Sequence, residues 1–212
     1  FDTKNVTAMS SMFNGCSSLE TLDVSSFDVL NAEYMASIFE GCSSLTELNV
    51  SNWNPSKVKS MNYVFKGCSG LSNLDLGSWD TSSAASMQGM FSGCTSLTSI
   101  NVPKFNTSNV TSMYEMFNGC SALTSLDLSN WSTEKVSDAT GIFKDCSNLI
   151  EAKVGTGYTL GVLAQPTPGY TDKWANSGGT LYSYNQIPPG VADTYTAELA
   201  TYSITYELNG GT

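Results

Sequence analysis

Among its 212 residues the chain has no histidine and no arginine. Each absence removes a class of chemistry. Without His, neither Ser/His and Cys/His nucleophile pairs nor His-ligated metals can be built, which leaves carboxylates, lysines, tyrosines and thiols as the acid–base or nucleophilic groups. Without Arg, and with nine Lys against nineteen Asp plus Glu for a net charge of −10, it lacks the basic footprint and bidentate reader that nucleic-acid recognition requires. No apolar run approaches the roughly eighteen residues of a membrane span. Residues 1–30 show neither a basic start nor a continuous apolar h-region. The expectation is an acidic, soluble chain, long enough for one or two domains, whose export signal, if any, lies outside it. It is expected not to be an enzyme, to bind no nucleic acid, to take no cofactor and to insert no segment here into a membrane.

What is present is a repeat. Cysteines stand at Cys16, Cys42, Cys68, Cys94, Cys120 and Cys146, always 26 residues apart. The same phase is kept by Phe13, Phe39, Phe65, Phe91, Phe117 and Phe143, by Leu19 through Leu149, and by Gly15, Gly41, Gly67, Gly93 and Gly119, with Asp145 breaking the last series. An aromatic column follows: Phe1, Phe27, Trp53, Trp79, Phe105 and Trp131. Six gap-free units therefore run over residues 1–156.

Two apolar rhythms divide each unit. In the fifth, Val110, Met113, Met116, Phe117 and Cys120 fall at helical spacing, whereas Leu123, Leu126 and Leu128 flatten into a strand. Gly119 sits where the turn must stop, able to take the left-handed conformation that other residues resist. Each unit reads as a short helix, a tight turn, a short strand and a Ser/Asn-rich return. One unit cannot bury its apolar side alone, but copies stacked at about 4.8 Å can. Methionines at positions 9, 35, 61, 87 and 113 then read as core rather than as a cofactor box.

Segments such as Asn109-Val-Thr-Ser-Met-Tyr-Glu-Met-Phe-Asn-Gly-Cys-Ser-Ala-Leu-Thr-Ser-Leu-Asp-Leu-Ser-Asn resemble the BspA-like leucine-rich repeat family of bacterial surface proteins. The resemblance covers residues 1–156. It implies an α/β fold, a leucine-rich-repeat-like right-handed solenoid of six 26-residue coils, and adhesion to host ligands such as fibronectin or fibrinogen. The Phe/Trp column stands where ordinary leucine-rich repeats carry an Asn, so ring packing is expected to replace a buried asparagine ladder.

One column of parallel side chains keeps Cβ atoms near 5 Å apart, whereas a disulfide wants about 3.8 Å, so all six thiols are expected buried and reduced. No CxxC pair is present, so no metal site is expected. Between the strand leucines the outward position alternates acid and amide: Asp23, Asn49, Asp75, Asn101, Asp127, then Lys153. Alternation relieves the repulsion that carboxylates about 5 Å apart would feel; the other reading is a polar stripe that contacts a ligand or a divalent cation. With Tyr34, Tyr63 and Tyr114, which stand outside the apolar columns, these are the candidate ligand-facing residues. Ser and Thr number 54 and gather in the return loops, where hydroxyls can satisfy backbone groups.

After Thr156 the composition changes. Residues 157–212 contain no Cys, Met or Phe but seven of the ten tyrosines. Short β-prone runs at 180–184, 194–199 and 203–208 suggest a β-rich cap or linker. The final Tyr202-Ser-Ile-Thr-Tyr-Glu-Leu-Asn-Gly-Gly-Thr resembles the start of the internalin-type B (Listeria–Bacteroides) repeat, which implies a truncated β-grasp-type spacer and a longer surface protein. The functional expectation is a monomeric, non-catalytic module on the bacterial cell surface that adheres to a host matrix protein, cell-surface protein or glycan. The alternatives are a structural stalk without its own ligand and a carbohydrate-active enzyme.

Overall fold

The structure, a computed structural model, describes residues 2–102, 104–165 and 169–200. Among these, successive 26-residue units lie one on the next in register. Parallel bridges join Ala8 to Tyr34, Tyr34 to Ser60, Ser60 to Ser86, Ser86 to Ser112 and Ser112 to Asp138, each step 26 residues along the chain. A second line of parallel pairing runs through the strand halves, from the Thr21–Glu47 bridge to paired strands. β1 (Asn73–Asp75) pairs with β2 (Ser99–Asn101), and β3 (Ser125–Leu128) with β4 (Glu151–Val154), again at a spacing of 26.

The half of each unit expected to be helical is not. In the fifth unit the amides of Met113, Glu115, Phe117 and Gly119 donate to the carbonyls of Asp138, Thr140, Ile142 and Lys144 in the next unit, at 2.8–2.9 Å. The amides between them close tight turns inside the unit: Met116 donates to Met113, Asn118 to Glu115 and Cys120 to Phe117. A helix would consume these amides on carbonyls four residues back. Here every second peptide is committed across the stack, and left-handed backbone at Glu115 (φ 51°) and Gly119 (φ 74°) breaks any right-handed run. No helix is present among the described residues. The expected α/β class and right-handed leucine-rich-repeat-like solenoid are therefore corrected. The chain folds as strands and turns, and its strands fall into two separate sheets, one of two strands and one of five.

The five-stranded sheet carries the repeat region into the C-terminal region. β4 pairs antiparallel with β7 (Asp193–Leu199), which pairs with β5 (Tyr170–Ala175), which pairs with β6 (Leu181–Ser183). β6 lies within the run expected to be a strand at 180–184, and β7 covers the one expected at 194–199 and begins one residue earlier. β5 was not foreseen, because its burial gives no alternating signal. The truncated internalin-type repeat and the run at 203–208 fall outside the described residues, as does Phe1.

The core consists of columns. Phe13, Phe39, Phe65, Phe91, Phe117 and Phe143 stack in sequence with ring centroids 5.3–5.8 Å apart. Phe27, Trp53 and Trp79 form a second column at 6.2–6.3 Å, continued by Phe105 against Trp131 at 6.2 Å. The methionines expected in the core are there: Met9, Met35, Met61, Met87 and Met113 are buried. A Cβ placed on Gly41, Gly67, Gly93 or Gly119 would lie 3.5–3.7 Å from the glycine one unit before, and all four have φ between 71° and 76°. The turn therefore needs glycine for its backbone rather than for room.

Candidate functional site

The acid/amide row lies in the open, and each member is already engaged. Asp23 Oδ1 accepts from the Ser25 amide at 2.9 Å, Asn49 Oδ1 from Ser51 at 3.1 Å, Asp75 Oδ1 from Gly77 at 2.9 Å and Asp127 Oδ1 from Ser129 at 2.9 Å. These are Asx turns, in which a short side chain imitates the backbone and closes the corner after the strand. The alternation also makes bonds between units rather than only diluting charge. Asn101 Nδ2 donates to Asp75 Oδ1 at 2.8 Å, and Lys153 Nζ meets Asp127 Oδ2 at 3.2 Å. Hydrogen bonds from the Ser25 hydroxyl and amide hold the Asp23 carboxyl below its ordinary value. At Asp127 partial burial pushes upward, but bonds from Ser129 and Lys153 outweigh it and the net shift is downward. The D-x-S spacing in the sequence was the local signal for this turn role.

The three tyrosines sit on the other ladder, that of the turns, and so do not share a surface row with the acids. Tyr34 is exposed and belongs to the bridge line itself. Tyr63 is half-buried with left-handed backbone (φ 59°), and Lys66 Nζ stands 4.7 Å above its ring. A Cβ on Gly89 would come within 2.7 Å of that ring, so the glycine one unit on makes room for it. Tyr114 is half-buried, and the neighbouring Glu115 carboxylate, first through a hydrogen bond and then through its charge, raises the phenol above its ordinary value.

Five thiols are buried, Cys42, Cys68, Cys94, Cys120 and Cys146, but Cys16 is exposed, which corrects the expectation of six. Among the described residues no unit is stacked over Cys16, whereas each of the other five thiols has one. Each buried thiol donates to a phenylalanine carbonyl of the preceding unit, from Cys42 to Phe13 through Cys146 to Phe117, at 3.0–3.1 Å. Burial pushes Cys68 and Cys146 up to about 12. Cys94 and Cys120 are raised well above the usual thiol range for the same reason. No group of three or more Cys, Asp or Glu able to hold a metal occurs among the described residues.

Buried threonines tie the corner after the aromatic column. Thr107 Oγ1 donates to Ser132 O at 2.7 Å and accepts from the Ser132 amide at 2.9 Å. Thr81 does the same with Asn106. Lateral amides add to this, as where Asn109 Nδ2 reaches Ser82 O at 3.0 Å, so the side chain of that Asn-Val-Thr triplet is tied to the preceding unit.

One feature had no counterpart in the sequence. Between the last turn segment, residues 139–147, and Val162, Leu163, Gln165 and Tyr184 of the C-terminal region lies a cavity of about 700 Å³. Its size is in the range of small-molecule and short-segment sites. A smaller recess of about 460 Å³ lies beside Lys153, Gly155 and Asp193 on the strand side.

Residues 1–99 and 71–155 each match the family model described as Mycoplasma protein of unknown function, DUF285. No curated protein matches the chain. No solved structure matches it.

Proposed function

The chain belongs to that DUF285 family over residues 1–155, and from this premise we propose that it is a non-catalytic interaction module of the bacterial cell surface. Its partner in this reading is a host matrix protein, cell-surface protein or glycan, held by the lateral surface of the stacked units. The observation that carries the reading is the exposed row of Asp23, Asn49, Asp75, Asn101 and Asp127. It repeats one polar group per unit over five units on a backbone braced by pairing in register. Such a row offers many weak contacts to a repetitive or extended ligand, as other stacked-repeat proteins do. Burial of five thiols, with their protons held well above neutral pH, would keep them inert in an oxidising exterior.

A second reading, a stalk without its own ligand, is favoured by one specific observation: the row's oxygens are already used to close their own turns. A binding array of matrix proteins and glycans against the full chain separates the two. Saturable binding that is weakened by Asn49→Ala with Asn101→Ala supports the module. Silence across the array supports the stalk.

A further inference from the structure

The turn ladder has a direction. Amides of Met9, Ser11, Phe13 and Gly15 donate to the second unit. Those of Met61, Tyr63, Phe65 and Gly67 donate to the fourth, those of Met87, Gly89, Phe91 and Gly93 to the fifth, and those of Met113, Glu115, Phe117 and Gly119 to the sixth. In each of these rows the four N–H groups point toward the following unit, whereas just before the row the amides of Glu33, Ala85, Thr111 and Ser137 donate back to Thr7, Lys59, Ala85 and Thr111 of the preceding unit. Peptide dipoles that add head to tail leave partial positive charge where the N–H groups end, as at a helix N-terminus. In the sixth unit the matching amides are those of Ala139, Gly141, Phe143 and Asp145. No described group accepts from any of the four. The strand ladder ends differently, for β7 pairs along all of β4. The cavity of about 700 Å³ stands over the residues that carry the four open amides.

We propose that this open edge is a binding site for an extended peptide segment of another protein, which would lie in the cavity and supply carbonyls to the four amides. The occupant follows from the rows above it. Each of those rows is filled by the carbonyls of alternate residues in a stretch of chain, as residues 138 to 144 fill the fifth unit's row. A segment of about seven residues thus repeats the ladder's own pattern, the way an added strand completes a sheet edge. Val162, Leu163, Tyr184, Ile142 and Cys146 also line the cavity and suit apolar side chains. Lys144 and Asp145 both line the cavity and offset one another, so the site carries no net charge to select a free anion and suits neutral carbonyls. This proposal does not rest on the lateral-surface reading, since a stalk could carry the same edge.

The test starts from a phage-displayed library of random decapeptides, selected on the full chain and counter-selected on Ala139→Met. Methionine is the residue of the other five units at this position, so the variant keeps the fold while it narrows the cavity floor. The expected result is a selected decapeptide that binds the wild type about tenfold or more tighter than the variant. On its addition, hydrogen exchange should slow at Ala139, Gly141, Phe143 and Asp145. Failure to enrich any decapeptide on the wild type over the variant would overturn the proposal, as would protection at other amides instead. Concentration-dependent self-association that protects the same four amides would make a second copy the occupant and overturn the peptide assignment. Matrix or glycan binding that survives Ala139→Met would leave the lateral reading standing whichever way the peptide result falls.

Discussion

The two edges of the stack are built from the same 26-residue unit and behave differently. On the strand edge amides point both ways: Leu76 donates forward to Asn101, while Thr98 donates back to Ser72. On the turn edge the four amides from Met87 to Gly93, and those of the first, third and fifth units, point forward in a run, with single backward bonds such as Ala85 to Lys59 only just before the run. The first edge has little net dipole and is closed at its C-terminal end by β7; the four-amide rows of the second add their dipoles and, among the described residues, end open. An alternating ladder can be terminated by any strand of either direction. The four-amide row needs a partner that offers carbonyls, and among the described residues the C-terminal region supplies none. Closure of a repeat stack is thus a property of each edge, not of the stack.

Mutations can break this comparison at its strongest point. Phe91 stacks on Phe65 at 5.7 Å and Phe117 at 5.3 Å inside the turn edge. Phe91→Ala is expected to cost about 3–5 kcal/mol. Phe143, with a ring on one side at 5.8 Å and the cavity on the other, should cost clearly less on truncation. Urea unfolding of the two variants measures the gap, and equal losses would show that the open end is packed as tightly as the middle.

The corner between the edges comes next. Thr107→Val keeps the shape but leaves the Ser132 amide and carbonyl without their partner. A loss of about 1–3 kcal/mol is expected for groups stranded in a buried corner, readable in the same unfolding experiment; a change within about 0.5 kcal/mol would make the threonine clamp incidental. Gly119→Ala, which forces a Cβ into left-handed backbone at φ 74°, should cost about 1–2 kcal/mol. Gly178→Ala, in the β5–β6 loop where φ is not left-handed, should cost far less.

The thiol column sharpens the comparison through pH. In the unfolded chain a thiol loses its proton near 9.0, but Cys68 in place holds it to about 12 because burial penalises the thiolate. The folded state therefore keeps the full thiol contribution below pH 9 and loses it progressively as pH rises from 9 toward 12. Cys68→Ala should flatten this alkaline loss, seen as the change in urea midpoint between about pH 8 and about pH 10.5. The smallest effect belongs to the strand surface: the Lys153–Asp127 pair is exposed on both sides, so Lys153→Ala should cost at most about 1 kcal/mol, less in high salt.

Much of this was legible in the sequence. The period, the ring and methionine columns, the left-handed glycines and the strand at Ser125–Leu128 all follow from residues that recur every 26 positions. The helix did not survive. Val110, Met113, Met116, Phe117 and Cys120 recur at spacings that a helix and a run of tight turns both satisfy, and what decides between them is a set of bonds to another unit. A signal existed: Gly89 and Gly141 hold the position occupied elsewhere by Ser11, Ser37, Tyr63 and Glu115, all with positive φ. A second glycine-tolerant position four residues before Gly93 is hard to reconcile with a helix. The acid/amide row was visible as a row, but its turn-closing role lay in the Ser or Gly two residues on. The open amides had no sequence signature, because backbone groups are the same at every residue.

The most direct test of the open four-amide row is residue-resolved hydrogen exchange on the wild-type chain. Met113, Glu115, Phe117 and Gly119 should exchange slowly, and Ala139, Gly141 and Asp145, one unit later, should exchange faster by orders of magnitude. Equal protection of the two rows, or protection that falls on consecutive residues as in a helix, would contradict the account.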